Sequence, residues 1–118
     1  MHVVNIDNVE KRVIGSHGEA TIYQLIFGRG TENPDLTRSI ASFWIMTVMP
    51  GGTNEPHSHS DEEQIYFIKE GEGLIVVGEE KREVKAGDAI YLPPKITHAF
   101  YNTGNEPCVI IAVGAKIH

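Results

Sequence analysis

Hydrophobic positions in this chain fall in short runs that are rich in Val, Ile, Thr, Phe and Tyr. Turn-forming residues separate these runs, with 12 glycines and 6 prolines spread along the sequence. Such a pattern is typical of short β-strands and argues against long helices. It predicts strands at residues 21–27, 42–49, 64–68, 74–77, 89–92, 97–101 and 109–113. We therefore expect an all-β fold, either a sandwich or a barrel.

One polar segment, residues 28–39, has no hydrophobic period. Its length and composition predict a loop, and a solvated connection between two strands is favoured over a lid. The sequence contains no internal repeat and no low-complexity tract. With 118 residues, we expect a single domain that spans residues 1–118.

The charge balance argues against several classes of partner. The chain has 10 Lys and Arg residues against 16 Asp and Glu residues, a formal net charge of −6. The basic residues are scattered, so no nucleic-acid partner is expected. No apolar stretch approaches the roughly 20 residues that cross a bilayer, and the first residues do not resemble a secretory signal. We expect a cytoplasmic protein that does not bind membranes, with its single cysteine, Cys108, packed as a small hydrophobic residue.

Two histidines, His57 and His59, form a His-x-His pair. Alternate side chains of an extended strand share a face, so the two imidazoles lie about 6–7 Å apart along the backbone and can bind one metal. The neighbouring residues are hydrophilic, which leaves open that both histidines belong to an exposed polar turn. Taken alone, the pair carries a clear risk of a chance match.

The spacing of other residues adds weight to the pair. The first cluster is Gly51-x5-His57-x-His59-x4-Gln64-x6-Gly71, and the second is Gly87-x5-Pro93-x-Lys95-x2-His98-x3-Asn102. The two clusters, residues 51–71 and 87–102, resemble the two motifs of the cupin superfamily. The resemblance implies a double-stranded β-helix, the RmlC-like jelly-roll barrel of cupins, in which the two motifs face each other.

The resemblance also implies a metal site. Cupin motif histidines bind one divalent metal, so His57, His59 and His98 are the implied imidazole ligands. An interior histidine without a metal is the alternative for His98. Mixed nitrogen and oxygen ligands suit Zn, Ni, Fe, Co and Mn, which leaves the identity of the metal open.

The fourth ligand position departs from the common cupin pattern. Counted back from Gly71, the position that usually holds glutamate falls on Gln64. Glu63 is the alternative ligand, but a shift of one residue turns a strand side chain to the opposite face. We therefore favour Gln64. A neutral amide leaves the full positive charge at the metal, which favours Lewis-acid chemistry.

Lys95 is a second departure, because it stands where the second cupin motif has a glycine. A residue other than glycine must avoid a positive φ at this position or tolerate the strain. By contrast, Gly71, Gly73 and Gly87 are expected to serve in turns.

Strand alternation suggests the wall of a pocket. Tyr66 shares a face with Gln64, and Phe100 shares one with His98, so both point inward if the ligands do. Packing in the barrel core explains either aromatic residue equally well. Tyr66 is also the candidate catalytic residue, because its phenol can donate a hydrogen bond or act as a general acid beside a metal-bound oxygen.

The strand before the first motif contributes a further part of the wall. Either Trp44 and Met46 or Phe43 and Ile45 face the interior, and the sequence does not decide between the two sets. Asn54 is a candidate to present its amide to a ligand, although solvent exposure is the favoured expectation.

These features predict a metal-dependent cupin that acts on a small oxygenated metabolite, such as a keto acid, a sugar acid or another enolisable compound. Lewis-acid isomerase or lyase chemistry is favoured. The alternatives are a metal-dependent dioxygenase and a non-catalytic cupin that binds or senses a small molecule. Small cupins usually pair through the outer sheet, so we expect a homodimer, with residues 109–113 or 21–27 as a candidate apolar sheet edge.

Overall fold

The computed structural model describes residues 1–13, 20–57 and 60–117, with the backbone alone for residues 55–57. A short 3-10 helix, Ile6–Asn8, precedes the strands. Within the described residues the chain forms ten β-strands: β1 (Arg12–Val13), β2 (Thr21–Gly28), β3 (Ile40–Val48), β4 (Thr53–His57), β5 (Glu62–Glu70), β6 (Glu72–Val77), β7 (Glu80–Lys85), β8 (Ala89–Leu92), β9 (His98–Tyr101) and β10 (Cys108–Lys116).

The strands that the structure describes form two antiparallel sheets. The six-stranded sheet has the order β1-β2-β3-β10-β5-β8, and the four-stranded sheet has the order β4-β9-β6-β7. Strand β10, the last in the chain, lies between β3 and β5, and the connections after β3, β4, β5, β7, β8 and β9 cross between the sheets. This arrangement confirms the expected all-β, double-stranded β-helix.

The core lies between the two sheets and follows strand alternation. In β3, Trp44 and Met46 are buried, whereas Phe43 and Ile45 on the other face are half-buried. The structure thus decides between the two sets that the sequence left open. The buried cluster comprises Tyr23, Trp44, Met46, Val48, Tyr66, Ile68, Ile75, Val84, Leu92, Phe100, Cys108, Ile110 and Ala112.

Three strands are absent from the sequence-based expectation, and each is an edge strand: the two-residue β1 of the six-stranded sheet, and β4 and β7 of the four-stranded sheet. Strand β7 has the sequence EKREVK, in which Val84 is the one buried residue. Strand β4 has the sequence TNEPH, and a proline within a run argues against a central strand. Edge strands pair on one side and carry charged residues and proline, so their hydrophobic pattern is weak.

Two of the three glycines that were expected in turns lie in turns. Gly71 and Gly87 have φ angles of 90° and 95° and serve in turns as expected. Gly73 instead lies inside β6, where a Cβ atom would overlap the ring of Phe100 and the carbonyl oxygen of Tyr101. Lys95 has a φ of 66°, which lies in the left-handed region that favours glycine. The position therefore keeps the backbone conformation of the motif glycine, and the lysine there is strained.

The two candidate edge segments for dimer formation differ in how completely they are paired. Residues 109–113 lie in β10, which pairs with β3 on one side and β5 on the other. Residues 21–27 lie in β2, which pairs with β3 on one side and, among the described residues, with β1 only at Ile22 and Tyr23 on the other. The expectation of an unpaired edge is therefore wrong for residues 109–113, because the jelly-roll crossover places the last strand inside the sheet. Residues 21–27 stay a candidate edge.

Two smaller observations concern the cysteine and the helix content. Cys108 is buried, and burial raises the pKa of its thiol to about 11, which agrees with a packing role. No helix among the described residues has the length and apolar character needed to cross a membrane.

Candidate metal and ligand site

Four strands contribute the predicted site residues to the barrel interior. Strands β3, β4, β5 and β9 bury the side chains of Trp44, Asn54, Gln64, Tyr66, His98 and Phe100. In β5 the alternation is regular, with Glu62, Gln64, Tyr66 and Ile68 buried and the residues between them more exposed. One face of β5 therefore presents its polar side chains to the interior.

Tyr66 lies at the centre of this group. Its ring meets the His98 ring edge-on, with centroids 6.1 Å apart and planes at 89°. On another side it meets the Trp44 ring, with centroids 6.5 Å apart and the same angle. The contact with Tyr66 establishes that His98 points into the barrel, which burial alone does not decide because Ala99 in the same strand is also buried.

Asn54 holds the phenol of Tyr66 in place. The Asn54 Nδ2 atom donates a hydrogen bond to the Tyr66 hydroxyl oxygen at 3.0 Å and lies 3.6 Å from the Met46 sulfur. Asn54 is 1% exposed, so the favoured expectation of solvent exposure is wrong. The residues around Asn54 in the sequence are polar, so the sequence does not indicate that its side chain points to the interior.

The electrostatics of Tyr66 follow from its burial. Desolvation raises the pKa of the phenol, the hydrogen bond from Asn54 lowers it, and the nearby negative charge of Glu62 raises it further. Because an amide nitrogen can only donate, the bond from Asn54 uses a lone pair of the phenol and leaves the hydroxyl hydrogen to point elsewhere.

The two motifs meet through the backbone of β4 and β9. His57 and His98 are direct cross-strand partners in this pair. Within the described side chains, no group of three His, Cys, Asp or Glu residues is placed to hold a metal ion. The His57 side chain and the whole of His59 fall outside the described residues, so the four-ligand site stays a prediction.

The structure distinguishes Gln64 from Glu63. Gln64 is 5% exposed, and its Oε1 atom is buried with no hydrogen-bond partner among the described residues. Glu63 lies on the other face of β5, where its carboxylate accepts a hydrogen bond of 2.8 Å from the exposed Tyr91 hydroxyl. Of the two candidates, Gln64 is the one with an oxygen in the interior.

Glu62 is the site residue that the sequence analysis missed. It is 4% exposed, its carboxylate forms an ion pair with Arg29, and its Oε1 atom accepts a hydrogen bond of 3.2 Å from Gln64 Nε2. Strand alternation already places Glu62 on the face of Gln64 and Tyr66. The contact with Arg29 joins positions 33 residues apart, and no local pattern indicates it.

Comparison with known proteins gives consistent matches. The sequence profile of the cupin domain matches residues 44–114. The uncharacterized protein MJ1618 of Methanocaldococcus jannaschii is 39% identical over 80 residues, which are 67% of this chain and 64% of that protein, slightly less than two-thirds of its length. The oxalate-binding protein of Thermotoga maritima is 29% identical over 99 residues, covering 84% of this chain and 78% of that one.

A solved structure supports the same fold. The crystal structure of a predicted oxalate decarboxylase from Thermotoga maritima superimposes with a TM-score of 0.86, at 24% identity, over 98% of this chain and 100% of that chain. At this identity the likeness establishes the fold alone. The matched profile spans more than half of the sequence and includes both histidine motifs. The chain therefore belongs to the cupin family.

Proposed function

We propose that this cupin binds a divalent transition metal through His57, His59, Gln64 and His98 and acts on a small oxygenated metabolite by Lewis-acid isomerase or lyase chemistry. The observation that carries the proposal is the buried Gln64 Oε1 atom, which has no partner among the described residues and lies on the same strand face as Tyr66. Tyr66 in turn contacts His98.

The donor chemistry of these residues fits a metal. A buried carbonyl oxygen without a hydrogen-bond partner costs free energy, and a cation provides the missing interaction. Imidazole nitrogens and an amide oxygen form a neutral ligand set that suits Zn, Ni, Fe, Co or Mn. When bound, such a metal polarises a carbonyl or enol oxygen of the ligand without proton transfer.

The side chains around the proposed metal would bind and orient the substrate. The hydrogen bond from Asn54 leaves the Tyr66 hydroxyl hydrogen available, and this hydrogen would donate to an oxygen of the bound molecule. The Tyr66 phenol is also the candidate general acid. Trp44 and Phe100 are buried apolar surfaces that limit the entry of water.

A binding module without turnover is the second candidate function. A relative that matches most of this chain is named an oxalate-binding protein, which favours a small carboxylate as the ligand. The same four residues would then hold a metal that captures the carboxylate, and Tyr66 would donate a hydrogen bond to it. The two functions share one site and differ only in the reaction.

We further propose a homodimer that forms through the outer face of the six-stranded sheet. Ile65, Phe67 and Tyr91 are 47%, 42% and 54% exposed on neighbouring strands, and Ile65 faces Tyr91 across the β5–β8 pair. An exposed apolar surface of this kind favours association with a second copy. The cytoplasmic location stays a prediction from the sequence.

The experiment combines metal content with turnover. Protein purified without added metal is analysed by elemental analysis beside the His98→Ala variant, and both are screened with keto acids, sugar acids and oxalate, with and without oxygen. We expect the wild type to contain metal, the His98→Ala variant to lose it, and turnover to proceed without consuming oxygen. Equal metal content in both proteins contradicts the metal site, and oxygen consumption that is coupled to product identifies a dioxygenase.

A further inference from the structure

Beside the proposed ligand Gln64 lies a charged network that the ligand assignment does not use. Glu62 is a glutamate that is only 4% exposed. The other buried residues on the same face of β5, Gln64, Tyr66 and Ile68, are neutral or apolar. Burying a carboxylate is costly unless the group is paired and hydrogen-bonded. Arg29 supplies the pairing charge, and Gln64 supplies a hydrogen bond.

The hydrogen bond between Glu62 and Gln64 fixes the direction of the amide. A carboxylate can only accept, so the amide end that faces Glu62 must be the Nε2 donor. The Oε1 end then points the other way, and this is the atom that is buried without a partner among the described residues. The carboxylate thus selects one of the two amide orientations, and the selected one offers an oxygen to a cation.

The backbone around Glu62 leaves space for its carboxylate. Gly114 on β10 is the direct cross-strand partner of Gln64. A Cβ atom at position 114 would overlap the Glu62 Oε1 atom and lie 2.9 Å from its Cδ atom. The position therefore needs a residue without a side chain if the carboxylate is to remain where it is.

Arg29 holds the other oxygen of the same carboxylate. Its Nη2 atom donates to Glu62 Oε2, while the arginine side chain is 66% exposed. Arg29 directly follows Gly28, whose φ is 94° and whose Cβ atom would overlap the Ala41 carbonyl oxygen. The start of the 28–39 loop is thus fixed by a residue that has to be glycine, and this places the guanidinium at the carboxylate.

We propose that Glu62, held by Arg29 and accommodated by Gly114, is a positioning residue that orients the Gln64 amide so that its oxygen faces the metal. The inference rests on the proposed function, in which Gln64 is a ligand. It also explains the glutamine at a position where cupins usually have glutamate. A glutamate there has no hydrogen to donate to Glu62 and would bring a second negative charge against it.

The test measures the dissociation constant for Co²⁺ by competition with a chelator at fixed pH. We expect Glu62→Ala to weaken binding about 10- to 100-fold, the range typical of groups that orient metal ligands. Glu63→Ala is the matched control, because it removes the same charge from the adjacent residue on the outer face and should leave the constant unchanged.

Two further variants separate positioning from charge and from folding. Gly114→Ala displaces the carboxylate without changing any charge, and it should weaken Co²⁺ binding as Glu62→Ala does. Glu62→Gln keeps an oxygen that can accept from Gln64, and it should recover part of the affinity. Circular dichroism of each metal-free variant checks the fold, because a purely structural role would lower stability without changing the affinity of the folded protein.

The comparison with Gln64→Ala decides among the outcomes. If Gln64→Ala and Glu62→Ala each weaken binding, and the double variant is no weaker than Gln64→Ala alone, Glu62 acts through Gln64. If Glu62→Ala binds Co²⁺ as tightly as the wild type while Gln64→Ala does not, the positioning role is refuted and the metal site stands. If Gln64→Ala and His98→Ala both bind normally, the proposed function itself is refuted.

Discussion

The two faces of strand β5 differ in what their side chains do, although the residues alternate along one short segment. On the inner face, Glu62 and Gln64 are buried and joined by a hydrogen bond, and Tyr66 is buried beside them. On the outer face, Glu63 accepts a hydrogen bond from an exposed tyrosine, and Ile65 is 47% exposed. Adjacent residues of the same chemical type therefore have different environments, and the face of the strand rather than the residue type indicates the role.

Replacing each of the two isoleucines of β5 by alanine should give the largest difference in the free energy of unfolding. Ile68 is 0% exposed on the inner face, so Ile68→Ala should lower the free energy of unfolding by about 2–5 kcal/mol through lost burial and a cavity. Ile65→Ala, on the outer face, should cost about 1 kcal/mol or less. Urea unfolding at a protein concentration low enough to keep the chain monomeric measures both losses, and equal losses would show that the two faces are not distinct.

A second contrast concerns the charge of residue 64. Without metal, Gln64→Glu removes the donor to Glu62 and places two carboxylates together in the interior, which should cost about 1–3 kcal/mol. Adding Glu62→Gln to this variant restores a donor and an acceptor and should recover most of the loss. Thermal unfolding in the presence of a chelator measures the series, and a Gln64→Glu variant as stable as the wild type would contradict the contact.

A third contrast compares two tyrosine hydroxyls. Tyr66→Phe removes the buried hydroxyl that accepts a hydrogen bond from Asn54 Nδ2 and should cost about 1–3 kcal/mol. Tyr91→Phe removes a hydroxyl that bonds to Glu63 at the surface and should change stability by about 0.5 kcal/mol or less. The urea midpoint of Tyr66→Phe should therefore be lower than that of Tyr91→Phe. The reverse order would place the functional face outside the barrel.

The smallest effect is a pH dependence from Cys108. Burial raises the pKa of its thiol from 9.0 to about 11. The folded protein therefore keeps the thiol proton where the unfolded chain loses it, and stability is lost as the pH rises from about 9 to 11. Cys108→Ala should remove this part of the slope in a pH series of unfolding curves. An unchanged slope in the variant would place its origin elsewhere.

Strand alternation and motif spacing predict much of the interior. They place Gln64, Tyr66 and Phe100 inside the barrel, and the structure has all three there. The same alternation puts Glu63 on the outer face, as observed. These successes have one cause, since a side chain in a paired strand has only two possible directions and the motif fixes the starting point.

The remainder depends on contacts that no local pattern contains. The pairing of Glu62 with Arg29 requires the 28–39 loop to return to β5, and the burial of Asn54 requires β4 to pair with β9. Both are consequences of the sheet topology. Lys95 shows a further limit. The sequence indicates that a residue other than glycine at this position has either a strained positive φ or a different backbone angle, but only the structure shows that φ is positive.

The proposed metal site can be observed in a crystal structure of protein purified without added metal, with anomalous diffraction data collected across several metal absorption edges. We predict one anomalous peak inside the barrel, bound by imidazole nitrogens of His57, His59 and His98 and by the Oε1 atom of Gln64. A peak bound by Glu63 in place of Gln64, or no peak between these four side chains, would contradict this prediction.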